Sequence, residues 1–221
     1  RTYGPLKLSA ARLCEGDYRC PYGPLIITAT NEVDLESLKG HVTVAPAVEL
    51  DWDEARTYRD GAAWVVALPG KWRPGTQYKV SIAKGIGDVF HQASAEGFDV
   101  TLRTSDLSPA LVTGGYQALI EATPDAAPRL PVEVSNLKTL EVKMWKLSLP
   151  ELAAAAARAP YDEKPIVDRA PDFSETQTLG YPKNHARVHG LELSKLFGES
   201  KTGVALVSVN SPQLEYRPKD G

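Results

Sequence analysis

Apolar and polar residues alternate in several short stretches along the chain. In the clearest stretch, Tyr78, Val80 and Ile82 alternate with polar neighbours, and the pattern returns in residues 98–102 and 140–147. A period of two places the apolar side chains on one face of a β-strand. The sequence therefore predicts half-buried strands of antiparallel sheets.

A sharp turn precedes the first of these strands. Pro74 fixes φ near the value that the second residue of a turn needs, and Gly75 supplies the positive φ of a type II turn. In β-sandwiches, a tyrosine just inside a strand after such a corner bonds its hydroxyl to the backbone a few residues upstream. We predict a tyrosine corner at Tyr78.

The first half of the chain contains about seven predicted strands. Beside the corner strand and an alternation at Leu6 and Leu8, they lie at residues 25–30, 41–44, 48–52, 64–68 and 98–102. A single helical turn is predicted after Asp34, a capping residue, and Gly40 is expected to end it. Seven short strands are typical of an immunoglobulin-like sandwich.

A boundary is predicted near residues 105–109, which divides the chain into domains 1–107 and 108–221. In the second half, strands are expected at residues 110–113, 116–122, 132–134, 140–147, 188–193 and 203–209. Ser148 and Glu151 form a capping box that opens one short helix over residues 152–158. The fold class is all-β, with two consecutive antiparallel β-sandwiches.

Residues 159–184 contain four prolines and few apolar residues, and we predict a long loop there. Arg158, Lys164 and Arg169 lie in this polar, proline-rich region, and an exposed loop of this kind is open to proteolysis. Two interpretations are possible, a bait-like cleavage segment and a plain mobile insertion, and the composition favours the insertion.

Composition limits the partners of the chain. The 221 residues are 43% hydrophobic and 24% charged, with a formal net charge of −3. Without a basic stripe, a nucleic acid partner is not expected. The longest apolar stretches are far shorter than the ~20 residues of a membrane helix, so no direct membrane insertion is expected. Since the sequence begins at Arg1 without Met, we expect a processed piece of something longer.

Cys14 and Cys20 are the two cysteines, and they bracket a turn-like insert. Their closeness predicts a disulfide and an oxidising compartment, with two unpaired thiols as the alternative. The spacing does not fit a Cys-x-x-Cys redox or zinc motif.

Two further patterns point only weakly to ligand chemistry. His185 and His189 are four residues apart, as in a helical zinc face, but Ala186 stands where the motif has Glu. Gly85 and Gly87 lack the third glycine of a dinucleotide-binding loop. Neither pattern predicts a site.

Carboxylates at Asp51, Asp53 and Glu54 offer oxygens to calcium, but no glycine-hinged loop surrounds them. The sequence contains no Gly-x-Ser-x-Gly elbow, and no spacing of Ser, His and Asp nominates a triad. We therefore predict no catalytic, cofactor-binding or metal-binding residue, no cofactor and no enzymatic activity.

Trp145 interrupts the alternation of its strand. Whereas the other tryptophans are expected in the core or between sheets, Trp145 is expected on the outer face. An exposed aromatic side chain there marks a possible interface with a neighbouring domain.

Longer segments of the sequence resemble two known modules. The first half is similar to bacterial Ig-like modules of surface proteins in residues 31–44, 72–82 and 98–104. The second half is similar to a macroglobulin domain in residues 130–147, the helix after them, and residues 191–198 and 204–209. The two modules in this order resemble the N-terminal part of bacterial alpha-macroglobulin-like proteins.

The resemblance implies a large secreted or periplasmic protein that traps proteases. In that family a protease cuts a bait segment, the molecule rearranges, and in many members a Cys-x-Glu-Gln thioester bonds the attacker. Neither Cys14 nor Cys20 begins that motif, since Glu15-Gly16 and Pro21-Tyr22 follow them. The expectation is therefore a non-catalytic scaffold fragment, in a periplasmic or extracellular location, whose partners are neighbouring domains and target proteases.

Two other functions fit a pair of β-sandwiches. One is a spacer or binding module of a cell-surface adhesin or S-layer-type protein. The other is an accessory region of a secreted hydrolase. The modules that surround this chain in the full-length gene would separate the three.

Overall fold

Thirteen β-strands run through the part of the chain that the computed structural model describes, residues 4–14, 20–115, 118–121, 126–157, 166–198 and 202–214. The chain divides into two compact units, Arg1–Leu107 and Ser108–Gly221. Every described strand pair is antiparallel. The predicted all-β fold, with two consecutive sandwiches, is confirmed.

Unit 1 contains seven described strands in two sheets. The strands are β1 (Leu8–Leu13), β2 (Leu25–Ala29), β3 (Val42–Ala45), β4 (Arg56–Asp60), β5 (Ala63–Leu68), β6 (Gln77–Ile82) and β7 (Phe98–Arg103). One sheet has the order β1-β2-β5-β4 and the other β3-β6-β7. Apolar side chains of both sheets meet in one core, and its best buried members include Leu25, Ile27, Val66, Val80 and Ile82.

The short helix α1 (Leu35–Leu38) lies between β2 and β3. The Asp34 side chain accepts a hydrogen bond from the backbone N–H of Glu36, which satisfies one of the free N–H groups of the first turn. Gly40 follows the helix with φ of +82°, a conformation that glycine adopts without strain. The predicted helical turn and both of its boundaries are confirmed.

One strand prediction for unit 1 was wrong, and one strand was not predicted. Residues 48–52 form no strand and contribute only an isolated bridge between Leu50 and Gly70. Strand β4 lies farther on and was not predicted, because Arg56, Arg59 and Asp60 leave it without an apolar face. An edge strand that pairs on one side with a buried neighbour needs little apolar surface of its own.

Unit 2 contains six described strands and two short α-helices. They are β8 (Ala110–Thr113), β9 (Arg129–Ser135), β10 (Thr139–Lys146), α2 (Leu149–Ala156), β11 (Phe173–Thr178), β12 (Arg187–Glu192), α3 (Ser194–Phe197) and β13 (Ala205–Asn210), followed by a 3-10 turn (Pro212–Leu214). The sheet orders are β11-β10-β13 and β12-β9-β8. Buried side chains from both sheets, among them Val132, Leu140, Met144 and Leu191, form the core.

Three predictions for unit 2 need correction. Strand β11 pairs along its length with β10 and lies within the predicted loop at 159–184. Residues 158–165, which include Arg158 and Lys164, lie outside the described residues. Residues 118–121 form no strand, while the rest of the predicted strand at 116–122 lies outside the described residues. Helix α2 begins at Leu149, three residues earlier than expected, because Ser148 is its N-cap.

Candidate functional site

Trp145 was the one predicted interface residue, and it lies on the outer face of β10. The adjacent residues Met144 and Lys146 lie on the opposite face, where Met144 is fully buried. Leu206 of β13 is the cross-strand partner of Trp145. The indole is half-buried, and its Nε1 donates a hydrogen bond of 3.0 Å to the backbone oxygen of Arg169. The segment around Arg169 therefore covers part of the tryptophan.

The Arg169 side chain holds that segment against the end of β10. Its Nε donates to Oε1 of Glu151 at 3.0 Å, and its Nη1 donates to Oδ1 of Asp172 at 2.8 Å. Its Nη2 donates to the backbone oxygen of Lys146 at 2.8 Å. These charge-assisted bonds use the fork geometry of the guanidinium. Arg169 was predicted in an open, cleavable loop, but its side chain is fully engaged.

Glu151 connects the Arg169 contacts to the start of helix α2. Its Oε2 accepts hydrogen bonds from the backbone N–H and the hydroxyl of Ser148, and Ser148 in turn caps the N–H of Glu151. The predicted capping box is therefore present. Bonds from the backbone and side chain of Ser148, and then from Arg169, lower the pKa of Glu151 to about 2.

Asp172 completes the arrangement from the other side of the guanidinium. Its Oδ2 accepts a hydrogen bond of 2.8 Å from the backbone N–H of Lys146. The bond from Arg169, followed by the one from Lys146, lowers the pKa of Asp172. Two carboxylates and one guanidinium thus join β10, α2 and the approach to β11. We call Trp145, Arg169, Glu151 and Asp172 the Trp145 cluster.

Two exposed apolar side chains belong to residues next to the end of β10 that carries Trp145. Leu149, in the first turn of α2, is 80% exposed, and Val204, which precedes β13, is 38% exposed. The backbone oxygen of Val204 accepts a hydrogen bond from the N–H of Leu147 at 2.8 Å. This end of the β10–β13 pair therefore combines apolar surface with a half-buried indole, the composition of an interaction surface.

The predicted disulfide joins Cys14 and Cys20, whose Cα atoms are 5.7 Å apart. Both ends are also fixed by the backbone, since the N–H of Cys14 donates to Pro24 and the oxygen of Cys20 accepts from Ser105. The disulfide therefore connects the end of β1 to the start of β2 and to the end of the unit.

Two of the residues weighed as metal ligands, His189 and Asp51, make hydrogen bonds within the protein. His189 is half-buried and both ring nitrogens have side-chain partners, whereas His185 is exposed, so the two do not face one ion. Asp51 accepts a hydrogen bond from the backbone N–H of Glu54, which is a turn contact. Within the described ranges, three or more His, Cys, Asp or Glu side chains do not come together as a ligand set.

Gly85 and Gly87 use their backbone N–H groups within unit 1. The N–H of Gly85 donates to Ser94, and the N–H of Gly87 donates to the Ser37 hydroxyl at 2.6 Å. A phosphate-binding loop leaves such groups available to its ligand. The local structure therefore does not favour nucleotide binding here.

The buried carboxylate of Asp88 was not predicted from the sequence. It accepts hydrogen bonds from the backbone N–H groups of Phe90 and Gln92 and from the Asn31 amide at 2.7 Å. Burial opposes its charge, but the bonds from Asn31, Gln92 and Phe90 outweigh that cost and lower its pKa. An Asp that begins a turn was the available signal. With three satisfied contacts, this carboxylate organises a turn.

The fold is similar to that of solved structures of bacterial alpha-2-macroglobulin. A mutant Salmonella alpha-2-macroglobulin matches with a TM-score of 0.64 and 16% identity, covering 94% of this chain and 13% of that chain. Salmonella alpha-2-macroglobulin reacted with methylamine gives the same values. An Escherichia coli alpha-2-macroglobulin fragment spanning domains MG0-NIE-MG1 matches over 94% of this chain and 66% of its own, with 16% identity and a TM-score of 0.47.

No family model matches the sequence, and no curated protein matches it. The two Salmonella matches show a shared fold, and they confirm the predicted resemblance to bacterial alpha-macroglobulins at that level. The chain spans only 13% of the length of those proteins. Among the described helices, none has the length and apolar character needed to cross a membrane.

Proposed function

We propose that this chain is a non-catalytic scaffold portion of a bacterial macroglobulin-like protease trap. The observation that supports this most is the extent of the match to the Salmonella structures, which takes in residues of both units. A likeness in one sandwich would fit many extracellular proteins. A match across two consecutive sandwiches is less expected between unrelated proteins, and it therefore supports the proposal more strongly.

The two units have separate roles in this proposal. Residues 1–107 are the bacterial Ig-like module and residues 108–221 are the macroglobulin-type module. In unit 1 the charged groups of buried turns are satisfied internally, as at Asp88. In unit 2 the ion pairs of Arg169 with Glu151 and Asp172 hold a segment in place. Because these charged side chains are bonded within the protein, they stabilise its structure, which fits a scaffold role.

The Trp145 cluster is the proposed contact with a neighbouring domain of the longer chain. Its indole lies on the outer face of β10, and exposed apolar side chains lie at the same end of the sheet. Interfaces are enriched in tryptophan relative to the rest of a protein surface. Covering this surface would bury apolar area without separating Arg169 from its carboxylate partners.

The disulfide supports a periplasmic or extracellular location. Short-range disulfides persist in oxidising compartments and are rare in the cytosol. The bond between Cys14 and Cys20 would remain intact there. A protease trap must also meet its target proteases outside the cytoplasm, so compartment and function agree.

A spacer role in a surface adhesin is the second candidate function. The seven-stranded sandwich of unit 1, with its tyrosine corner, favours this candidate as much as the first. Unit 2 and the extent of the Salmonella match favour the trap. Modules downstream in the gene would distinguish the two, because an adhesin would repeat the Ig-like module.

The test uses the full-length protein that contains this chain. Incubated with trypsin, a trap should block cleavage of a large protein substrate but leave cleavage of a small chromogenic peptide, because an enclosed protease excludes only the large substrate. The 221-residue chain alone is the control, and it should protect neither substrate. Full cleavage of the large substrate at every molar ratio of the full-length protein would overturn the proposal.

A further inference from the structure

One edge of the sandwich of unit 2 is closed by polar side chains. Strand β11 is an edge of one sheet and β12 is an edge of the other. Glu175 and Gln177 alternate with exposed residues of β11 and share the inner face with Val142 and Leu140, their partners on β10. His189 of β12 pairs with the buried Val132. Polar groups thus occupy inward positions where apolar residues would be expected.

These side chains form a continuous hydrogen-bonded chain between the two sheets. His189 Nε2 lies 2.7 Å from Oε1 of Gln177, and His189 Nδ1 lies 2.9 Å from the Tyr181 hydroxyl. The Gln177 amide nitrogen donates to Oε1 of Glu175. The Lys195 ammonium, from α3, donates to both Glu175 oxygens at 3.0 and 2.8 Å. These hydrogen bonds therefore join β11, β12, α3 and the segment that connects β11 to β12.

The donor and acceptor of every bond in this hydrogen-bonded series follow from the charge of Glu175. Since Glu175 is a carboxylate, Gln177 must donate to it through its amide nitrogen, which leaves the amide oxygen facing His189. That oxygen accepts only, so His189 carries its proton on Nε2. The neutral ring then presents Nδ1 as an acceptor, and the Tyr181 hydroxyl donates to it. With a neutral ring, one assignment of protons satisfies all four contacts.

We propose that His189 is the acid-sensitive centre of this clasp, a directional chain from Tyr181 through His189, Gln177 and Glu175 to Lys195 that holds the edge strands of the two sheets together. Adding a proton to Nδ1 removes its lone pair, so Tyr181 must reverse its hydroxyl or leave. The clasp is complete with neutral His189 and is weakened when His189 becomes charged.

The surroundings of His189 lower its pKa overall. Burial of the ring and the positive charge of Arg129, on β9, lower the pKa of His189, while Glu175 opposes them. Lys195 pairs with Glu175 and reduces that opposition. Glu192 of β12 accepts from the Ser194 hydroxyl and lies on the other face of the strand. The groups that surround the ring thus favour its neutral form.

Nuclear magnetic resonance of the histidine rings in the whole chain tests this assignment. The signals of His189 are identified from their loss in His189→Gln, with His185→Gln as the matched control four residues away. We expect the Nε2–H tautomer and a titration midpoint below 6.5, the ordinary value for histidine. The Nδ1–H tautomer, or a midpoint at or above 6.5, would overturn the proposal.

Gln177→Glu supplies an independent test of the direction. A carboxylate next to the ring favours the imidazolium, so the midpoint of His189 should rise above its wild-type value. Tyr181→Phe removes the donor to Nδ1 and should raise the midpoint by a smaller amount. An unchanged midpoint in Gln177→Glu would show that the two side chains do not touch in solution and would refute the clasp.

The consequence for unit 2 is measured at Met144, the single methionine of the chain, whose side chain is fully buried in that unit. Its labelled methyl group gives one signal that reports unfolding of unit 2. With a folded-state pKa below the unfolded one, His189 stabilises unit 2 at pH above 6.5, and this contribution is lost as pH falls through the folded-state pKa. The His189→Gln variant should lack this component and His185→Gln should keep it; equal pH dependence in all three proteins would contradict the proposal.

Discussion

The hydroxyl oxygen of Tyr78 accepts a hydrogen bond of 2.8 Å from the backbone N–H of Arg73, on the far side of the turn that opens β6. The Thr104 hydroxyl ties the same corner to the end of β7, because it donates to the Arg73 oxygen at 2.6 Å and accepts from the N–H of Thr76 at 2.9 Å. The Tyr78 ring lies edge-on to Trp72, with centroids 4.9 Å apart. The corner is thus fixed by backbone bonds and by aromatic packing.

Tyr78→Phe should destabilise unit 1 while leaving its fold intact. The ring and its packing remain, but the N–H of Arg73 loses its partner in a partly buried place, which costs roughly 1–3 kcal/mol. Denaturant unfolding followed by tryptophan fluorescence measures this, since three of the four tryptophans lie in unit 1. Tyr22→Phe, at an exposed tyrosine, is the control and should leave the midpoint unchanged.

Gly23 and Gly40 form a matched pair that separates backbone strain from packing. Both have positive φ, but a Cβ on Gly23 would lie 2.5 Å from Cδ1 of Trp72, whereas a Cβ on Gly40 would meet open space. Gly40→Ala should therefore cost roughly 1–2 kcal/mol for the left-handed backbone alone. Gly23→Ala should cost a further 1–3 kcal/mol, roughly, because the buried indole must move. Equal losses of unfolding free energy would show that Trp72 does not occupy this position.

The disulfide closes a small loop, so its removal should have a limited effect. Replacing Cys14 and Cys20 together by Ser should lower the free energy of unfolding of unit 1 by about 2 kcal/mol, by the loop-entropy estimate. Adding a reductant to the wild-type chain should reproduce the loss. A wild-type midpoint that does not respond to reductant, with two free thiols detected by alkylation, would contradict the pairing.

Acid should release the start of α2 and the segment that covers Trp145. The pKa of Glu151 is lowered from 4.5 to about 2, so its contribution to folding is complete above pH 4.5 and is lost as pH falls toward 2. The amide signal of Ser148 and the indole N–H signal of Trp145 should both shift over this range. In Glu151→Gln the Ser148 shift should disappear, whereas Glu141→Gln, an exposed carboxylate on β10, should not alter it.

Local chemistry made several elements predictable from sequence. The turn before Tyr78, the cap at Asp34 and the capping box of Ser148 each depend on residues within a few positions of one another. Such contacts are decided by side-chain type and spacing, and they appear as predicted. The disulfide belongs to the same class, because only one pairing was available.

Strand β11 was not predictable by the same means. Its inward residues Glu175 and Gln177 are polar, so the alternation that marks a strand is hidden. They are tolerated inside because Lys195 and His189, which are distant in sequence, supply their partners. Arg169 was missed for the same reason, since its carboxylates come from α2 and from the approach to β11. Long-range polar pairing leaves no periodic signal.

The first bond that a protease cuts in the full-length protein tests the scaffold role most directly. Limited trypsin treatment followed by mass mapping of the earliest fragments identifies that bond. If this chain is scaffold, the first cut falls outside residues 1–221 and coincides with a change in hydrodynamic radius. A first cut within residues 158–184, accompanied by retention of the protease, would make that segment the bait and would contradict the account.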